Sequence, residues 1–120
     1  MSSVVIPRDE WIEFLQGFDA RHAGWPVHLE THDRETGETV VSRDMPLNSI
    51  ELDTEDEKNP RINVIVSSGE KVFKHILFRP SGMTLHLSGT GNDEALEIHS
   101  LNTITTVRFH NGARGGKTRV

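Results

Sequence analysis

The sequence predicts an α+β fold: one N-terminal amphipathic helix packed on a curved antiparallel β-meander of about six or seven strands, or on a small barrel. Three observations carry this. A 3.6-residue apolar period runs once, near the start. From Trp25 onward the period drops to two. Between the period-two segments the connections are short and marked by turn residues, which leaves no room for the crossover helices a parallel sheet needs.

The helix spans Pro7 to about His22. Trp11, Phe14, Leu15 and Phe18 fall at i, i+3, i+4 and i+7 and make one apolar stripe. Pro7 suits the first helical position, because its missing N–H costs nothing there. Asp9 and Glu10 sit at the positive end of the helix dipole, Arg21 and His22 at the negative end. Gly24 can supply a left-handed cap, and His22 can reach the terminal carbonyls.

In "WPVHLETHD" Val27 and Leu29 point one way, and His28, Glu30 and His32 the other. Residues 33–38 read as a turn at Gly37. Val40 and Val41 begin a second strand, and Pro46 implies a bend or an edge position. Ile50 and Leu52 form a short third element before the charged loop "DTEDEKNP". Ile62, Val64 and Val66 share one strand face. "VFKHILF" is a nearly unbroken apolar run and predicts a central strand covered on both sides. "RPSG" is a tight turn. The hairpin "MTLHLSGTGNDEALEIHSL" follows. Folding it at the glycines sets Leu85 against Ile98 and Leu87 against Leu96, with His86 opposite Glu97 and His99 diagonal to it. "TITTVRFH" is the last strand. The domain is expected to span residues 1–110, with 111–120 as a flexible tail lacking core residues.

Composition narrows the function. The chain is 34% apolar before its ten glycines are added, lower even with them than the ~45–50% usual for globular domains. A core completed by a partner chain would explain that. Net charge is −5, from 13 basic and 18 acidic side chains. Nucleic acid and anionic membrane surfaces both call for the opposite sign, so neither is an expected partner. The absence of cysteine excludes disulfides, thiolate metal sites and cysteine nucleophiles. No apolar run approaches the ~20 residues a membrane helix needs. The N-terminus has no signal-peptide pattern. The expected location is therefore cytoplasmic.

Seven histidines are the main candidates for chemistry. His28, Glu30 and His32 share one strand face, and His86, Glu97 and His99 share one face of the hairpin. His110 extends that second face by parity with Arg108. Residues at i and i+2 of a strand lie ~6.8 Å apart at the backbone, a span two imidazoles and a carboxylate can close around a divalent transition metal. The competing reading is a solvated or partner-facing sheet surface, on which histidine opposite glutamate is an ordinary favourable pair. His75, inside an apolar run, calls for a hydrogen-bond partner. Gly116-Lys117-Thr118 matches the end of a phosphate loop, but Asn111 stands where the first glycine belongs and too little chain follows for the required helix. No nucleophile elbow and no His-Glu-x-x-His motif is present.

Four stretches, "IPRDEWIEFLQGFDARHAGW", "MPLNSIELD", "VFKHILFRPSGMTLHL" and "EALEIHSLNTITTVRF", resemble an uncharacterised bacterial family of small single-domain proteins of unknown function. The resemblance runs from Ile6 to Phe109. It rests on Trp11, His22 to Trp25, Pro46-Leu47, His75 with Pro80, and Leu96-Glu97-Ile98. Members carry glycine in the last turn, where this chain reads "SLNTIT". The resemblance implies a compact helix-plus-sheet domain and brings no catalytic residue with it.

The leading functional expectation is a non-enzymatic interaction or regulatory module forming a homodimer or binding a protein partner. The alternatives are a transition-metal protein using one of the two His/Glu/His clusters, and a small-ligand pocket between helix and sheet.

Overall fold

The computed structural model describes residues 2–109; His110 and the expected tail lie outside it. Nine strands and one α-helix follow in the order β1 (Ser2–Val5), a 3-10 turn (Arg8–Glu10), α1 (Trp11–His22), β2 (Pro26–Asp33), β3 (Thr39–Val41), β4 (Met45–Asp53), β5 (Arg61–Ser68), β6 (Lys71–Phe78), β7 (Gly82–Leu87), β8 (Asp93–His99) and β9 (Thr103–Phe109). The helix and the antiparallel sheet are as the periodicity predicts. The count of nine exceeds the expected six or seven. The four-residue β1 carries no period signal of its own, and β3 and β4 separate on either side of residues 42–44.

Pro7, at φ −60° and ψ 147°, precedes the 3-10 turn, so the α-helix starts a turn later than expected. Trp11, Leu15, Phe18 and His22 are its buried face. The indole N–H of Trp11 donates to the Ile6 carbonyl at 2.9 Å and pins the entering chain. Gly24, at φ +84°, ends the helix as expected. His22 does cap: Nδ1–H donates to the Phe18 carbonyl at 2.8 Å, while Nε2 meets Asp93 at 3.0 Å. Its ring packs between Phe18 and Phe109, with centroids at 4.4 and 4.5 Å.

The strand order is β1-β7-β8-β9-β2-β4-β5-β6, with β3 added on β2. β1 and β6 end the order unpaired with each other, so the sheet is open and the expected barrel is not formed. Two meanders, β7-β8-β9 and β4-β5-β6, meet at β2/β4, where pairing is limited to Pro26↔Pro46 and Val27↔Met45. Two prolines face each other there, and neither has an N–H to give. The pairing that joins the two halves of the sheet is shortest at that point, beside Pro46. Both arms feed one core: Leu47, Ile50, Ile62, Val64 and Val66 from one, Leu29, Met83, Leu96, Ile98 and Val107 from the other, and the α1 stripe with them.

Two expectations are corrected. The run "VFKHILF" is β6, an edge strand, and not a central one. Only Leu77 is buried; Val72 (62%), Phe73 (44%), Ile76 (37%) and Phe78 (53%) are exposed. An unbroken apolar run reports a strand without a polar face, and it cannot report whether a neighbour arrives to cover it. The hairpin also pairs two residues away from the expected register: Leu85 faces Leu96, Met83 faces Ile98, and a bulge falls at His86/Leu87. A shift of two preserves which side chains share a face, so the inside and outside sets survive.

Candidate functional site

The two His/Glu/His sets are parts of one surface. β2 and β8 both pair with β9, so three transverse rows cross the solvent face of the sheet. The first runs His28–Arg108–Ala95–His86–Ser3, the second Glu30–Thr106–Glu97–Thr84, and the third His32–Ile104–His99–Gly82. β2 and β8 lie two strand spacings apart, roughly 10 Å. Ala95 is the small residue of the first row, and it leaves room for the long side chains on either side of it.

Within this face each carboxylate gathers its own hydrogen-bond donors. Glu97 accepts from His86 Nε2–H at 2.9 Å through Oε1 and from His99 Nε2–H at 2.5 Å through Oε2. Burial alone would raise its pKa, but the two imidazoles outweigh that and hold it below the ordinary value of 4.5. Glu30 accepts from His28 Nε2–H at 2.8 Å and from Arg108 Nε–H at 3.1 Å. The His28 hydrogen bond is the main reason its pKa is lowered; Arg108 adds to it against a smaller opposing effect of burial. His28 also lies 3.4 Å from Asp44. His32 turns away from Glu30 and meets the Thr39 hydroxyl at 3.0 Å. The structure thus joins His86, Glu97 and His99, joins His28 with Glu30, and leaves His32 apart. Among the described residues, no three His, Asp or Glu side chains are placed to hold one metal ion.

His86 carries a further contact. Its Nδ1 lies 3.0 Å from the Ser3 hydroxyl, so Ser3, His86 and Glu97 form a hydrogen-bonded series. The order is that of nucleophile, base and orienting carboxylate. It opens on a shallow cleft of about 380 Å³ that also includes Glu94 and Arg108. Acyl transfer needs donors aimed at a developing oxyanion. The cation of this cleft, Arg108, is turned to Glu30 instead. Ser3 does not stand out in the sequence, because β1 gives no signal; parity places Arg108 on this face, and only the strand pairing sets it beside Glu30.

Two other places bear on function. Between α1 and β4 lies a cleft of about 280 Å³ lined by Ile12, Leu15, Gln16, Asp19 and Glu51 among others. Asp19 accepts the Ile50 N–H at 2.8 Å. Burial pushes its pKa up to about 6, against that hydrogen bond. The other place is the β6 edge. His75 there is half-buried, and the hydrogen-bond partner expected for it is the Thr31 hydroxyl at 3.4 Å. Burial lowers its pKa.

The fold and these surfaces define a small α+β domain with a polar sheet face and, among the described residues, an exposed apolar edge strand. The chain belongs to the family of unknown function DUF5335, which it matches over residues 2–115. No curated protein and no solved structure matches it. Among the described residues no helix is long and apolar enough to cross a membrane.

Proposed function

We propose that the protein is a non-enzymatic interaction module that binds by strand addition along β6, its open sheet curving round α1 to hold that edge rigid. The uncovered edge carries this reading. An eight-residue strand ends the sheet, and four of its large apolar side chains are in solvent. Natural proteins guard such edges with short strands, proline, bulges or rows of charge, because unpaired N–H and C=O groups template a neighbouring strand. β1, at the other end of the order, is four residues long. Among the described residues, β6 is guarded only by Lys71, Lys74 and the Leu101 N–H that meets the Phe78 carbonyl at its end, and an added strand would satisfy the rest of its backbone and cover its side chains at once.

A photo-crosslinking side chain in place of Ile76, compared with one at the exposed Glu13 of α1, tests this inside the producing cell. The reading expects polypeptide adducts from position 76 well above those from position 13. Equal, background-level adducts at both positions overturn it.

A further inference from the structure

The backbone of β6 specifies what fits it. The Arg79 N–H donates to the Pro60 carbonyl at 2.9 Å, so this is a hydrogen-bonding pair of the β5/β6 ladder. Antiparallel ladders alternate. Leu77, His75 and Phe73 therefore turn their backbone groups toward β5, and Phe78, Ile76, Lys74 and Val72 turn theirs outward. The outward carbonyl of Phe78 is met by the Leu101 N–H at 2.9 Å, in keeping with this phase. Among the described residues, the groups left at the edge are the N–H of all four outward residues and the carbonyls of Val72, Lys74 and Ile76.

Resting on the strand-addition reading, we infer that the occupant is a second copy of this chain, its β6 antiparallel to the first about a two-fold axis through His75. Any axis through a residue keeps outward groups facing outward groups, and the four that overlap the strands most lie at Phe73, Lys74, His75 and Ile76. An axis at Phe73 leaves Ile76 and Phe78 without partners inside the strand. One at Lys74 pairs the free groups well but sets Lys74 directly against its copy, and like charges so placed are destabilising. One at Ile76 sets Val72 opposite the partner's Pro80, which lies beyond the strand and has no N–H for the Val72 carbonyl. The axis at His75 pairs Lys74 with the partner's Ile76 in both directions and gives each Phe78 N–H the partner's Val72 carbonyl. The Val72 N–H meets the Phe78 carbonyl, whose second lone pair is open.

The side chains agree with that register. On the solvent face Val72 meets the partner's Phe78, and the stem of Lys74 covers the partner's Ile76. On the other face Phe73 meets the partner's Leu77, and His75 meets its copy. Val72, Phe73 and Phe78 each gain an apolar neighbour, and Ile76 gains the methylene stem of Lys74. Where the partner's Val72 arrives, Phe78 and Leu101 line a shallow cleft of about 250 Å³, and Leu101 is itself exposed. The pairing is isologous and closes after two chains, so an apolar edge leads to a dimer and not to a fibre.

The chain has no cysteine, so single cysteines read the register directly. At the axis the two His75 positions form a non-hydrogen-bonded pair with Cα atoms ~4.5 Å apart, within disulfide reach. Under mild oxidation of the full chain, His75→Cys is expected to give mostly covalent dimer, roughly tenfold more than Phe73→Cys, Lys74→Cys or Ile76→Cys, which stand off the axis. Light scattering of the wild type at tens of micromolar should give twice the 13.5 kDa chain mass, and Ile76→Lys should return it to one. Strongest crosslinking at another of these positions overturns the register. A one-chain mass with no preferred disulfide overturns self-pairing. In that case, adducts from position 76 to another polypeptide leave the strand-addition reading standing, and background adducts there remove both.

Discussion

Glu30 and Glu97 lie in one row across the sheet, with Thr106 alone between them. They belong to strands far apart in the sequence and come onto one face only because β9 pairs with both. Each is met by hydrogen-bond donors: His28 and Arg108 for Glu30, His86 and His99 for Glu97.

Glu97 should therefore contribute to stability in a pH-dependent way. Its folded pKa is below the ordinary value, so the contribution is present above about pH 4.5 and is lost as pH falls through the folded pKa. Glu97→Gln should cost on the order of 1 kcal/mol at neutral pH, a figure that allows for partial solvent access. Urea unfolding of both proteins near neutrality and at about pH 3 checks this; the difference should close at the acid end.

Asp19 has the opposite sign. Its folded pKa is raised to about 6, so the ionised carboxylate is strained in the fold. That penalty is absent below the ordinary value of 3.8 and fully present above about 6. Asp19→Asn keeps an oxygen for the Ile50 N–H and should stabilise the protein by ~1–2 kcal/mol at neutral pH, with no gain in acid. Thermal unfolding across that range is the measurement.

The edge position of β6 predicts a contrast between adjacent residues. Leu77 is 2% exposed and Ile76 37%. Leu77→Ala should cost ~2–5 kcal/mol, as a buried deletion does. Ile76→Ala should cost less than about 1 kcal/mol in the isolated chain. Denaturation at high dilution, where association does not contribute, separates them. Equal costs would restore the central strand that the apolar run suggests.

Self-association should weaken in acid. Val64 of β5 pairs with His75 and Thr31 of β2 meets its ring, neither titratable, with Phe73 and Leu77 on the same face of its own strand. Burial already holds its pKa below 6.5, and a second imidazole across the axis opposes protonation further. The dimer favours the neutral ring, so it is firm above the His75 pKa and loosens as pH falls through it. Sedimentation at about pH 8 and about pH 5.5 should show this shift, and His75→Asn should abolish it.

Periodicity alone determined which residues face inward: Val27 and Leu29, Ile62, Val64 and Val66, Leu96 and Ile98, with His28, Glu30, His32, His86, Glu97 and His99 on the wet side. A pleated strand sends alternate side chains to opposite faces whatever its neighbour is, so local spacing suffices for that and survives a register error of two. Strand order decided the rest. Which strand lies beside which depends on contacts between residues far apart in the chain, and those leave no mark on local spacing. Only the pairing of β9 with both β2 and β8 merges two clusters into one surface, and only the end of the order at β6 turns an apolar run that looks like core into an open edge.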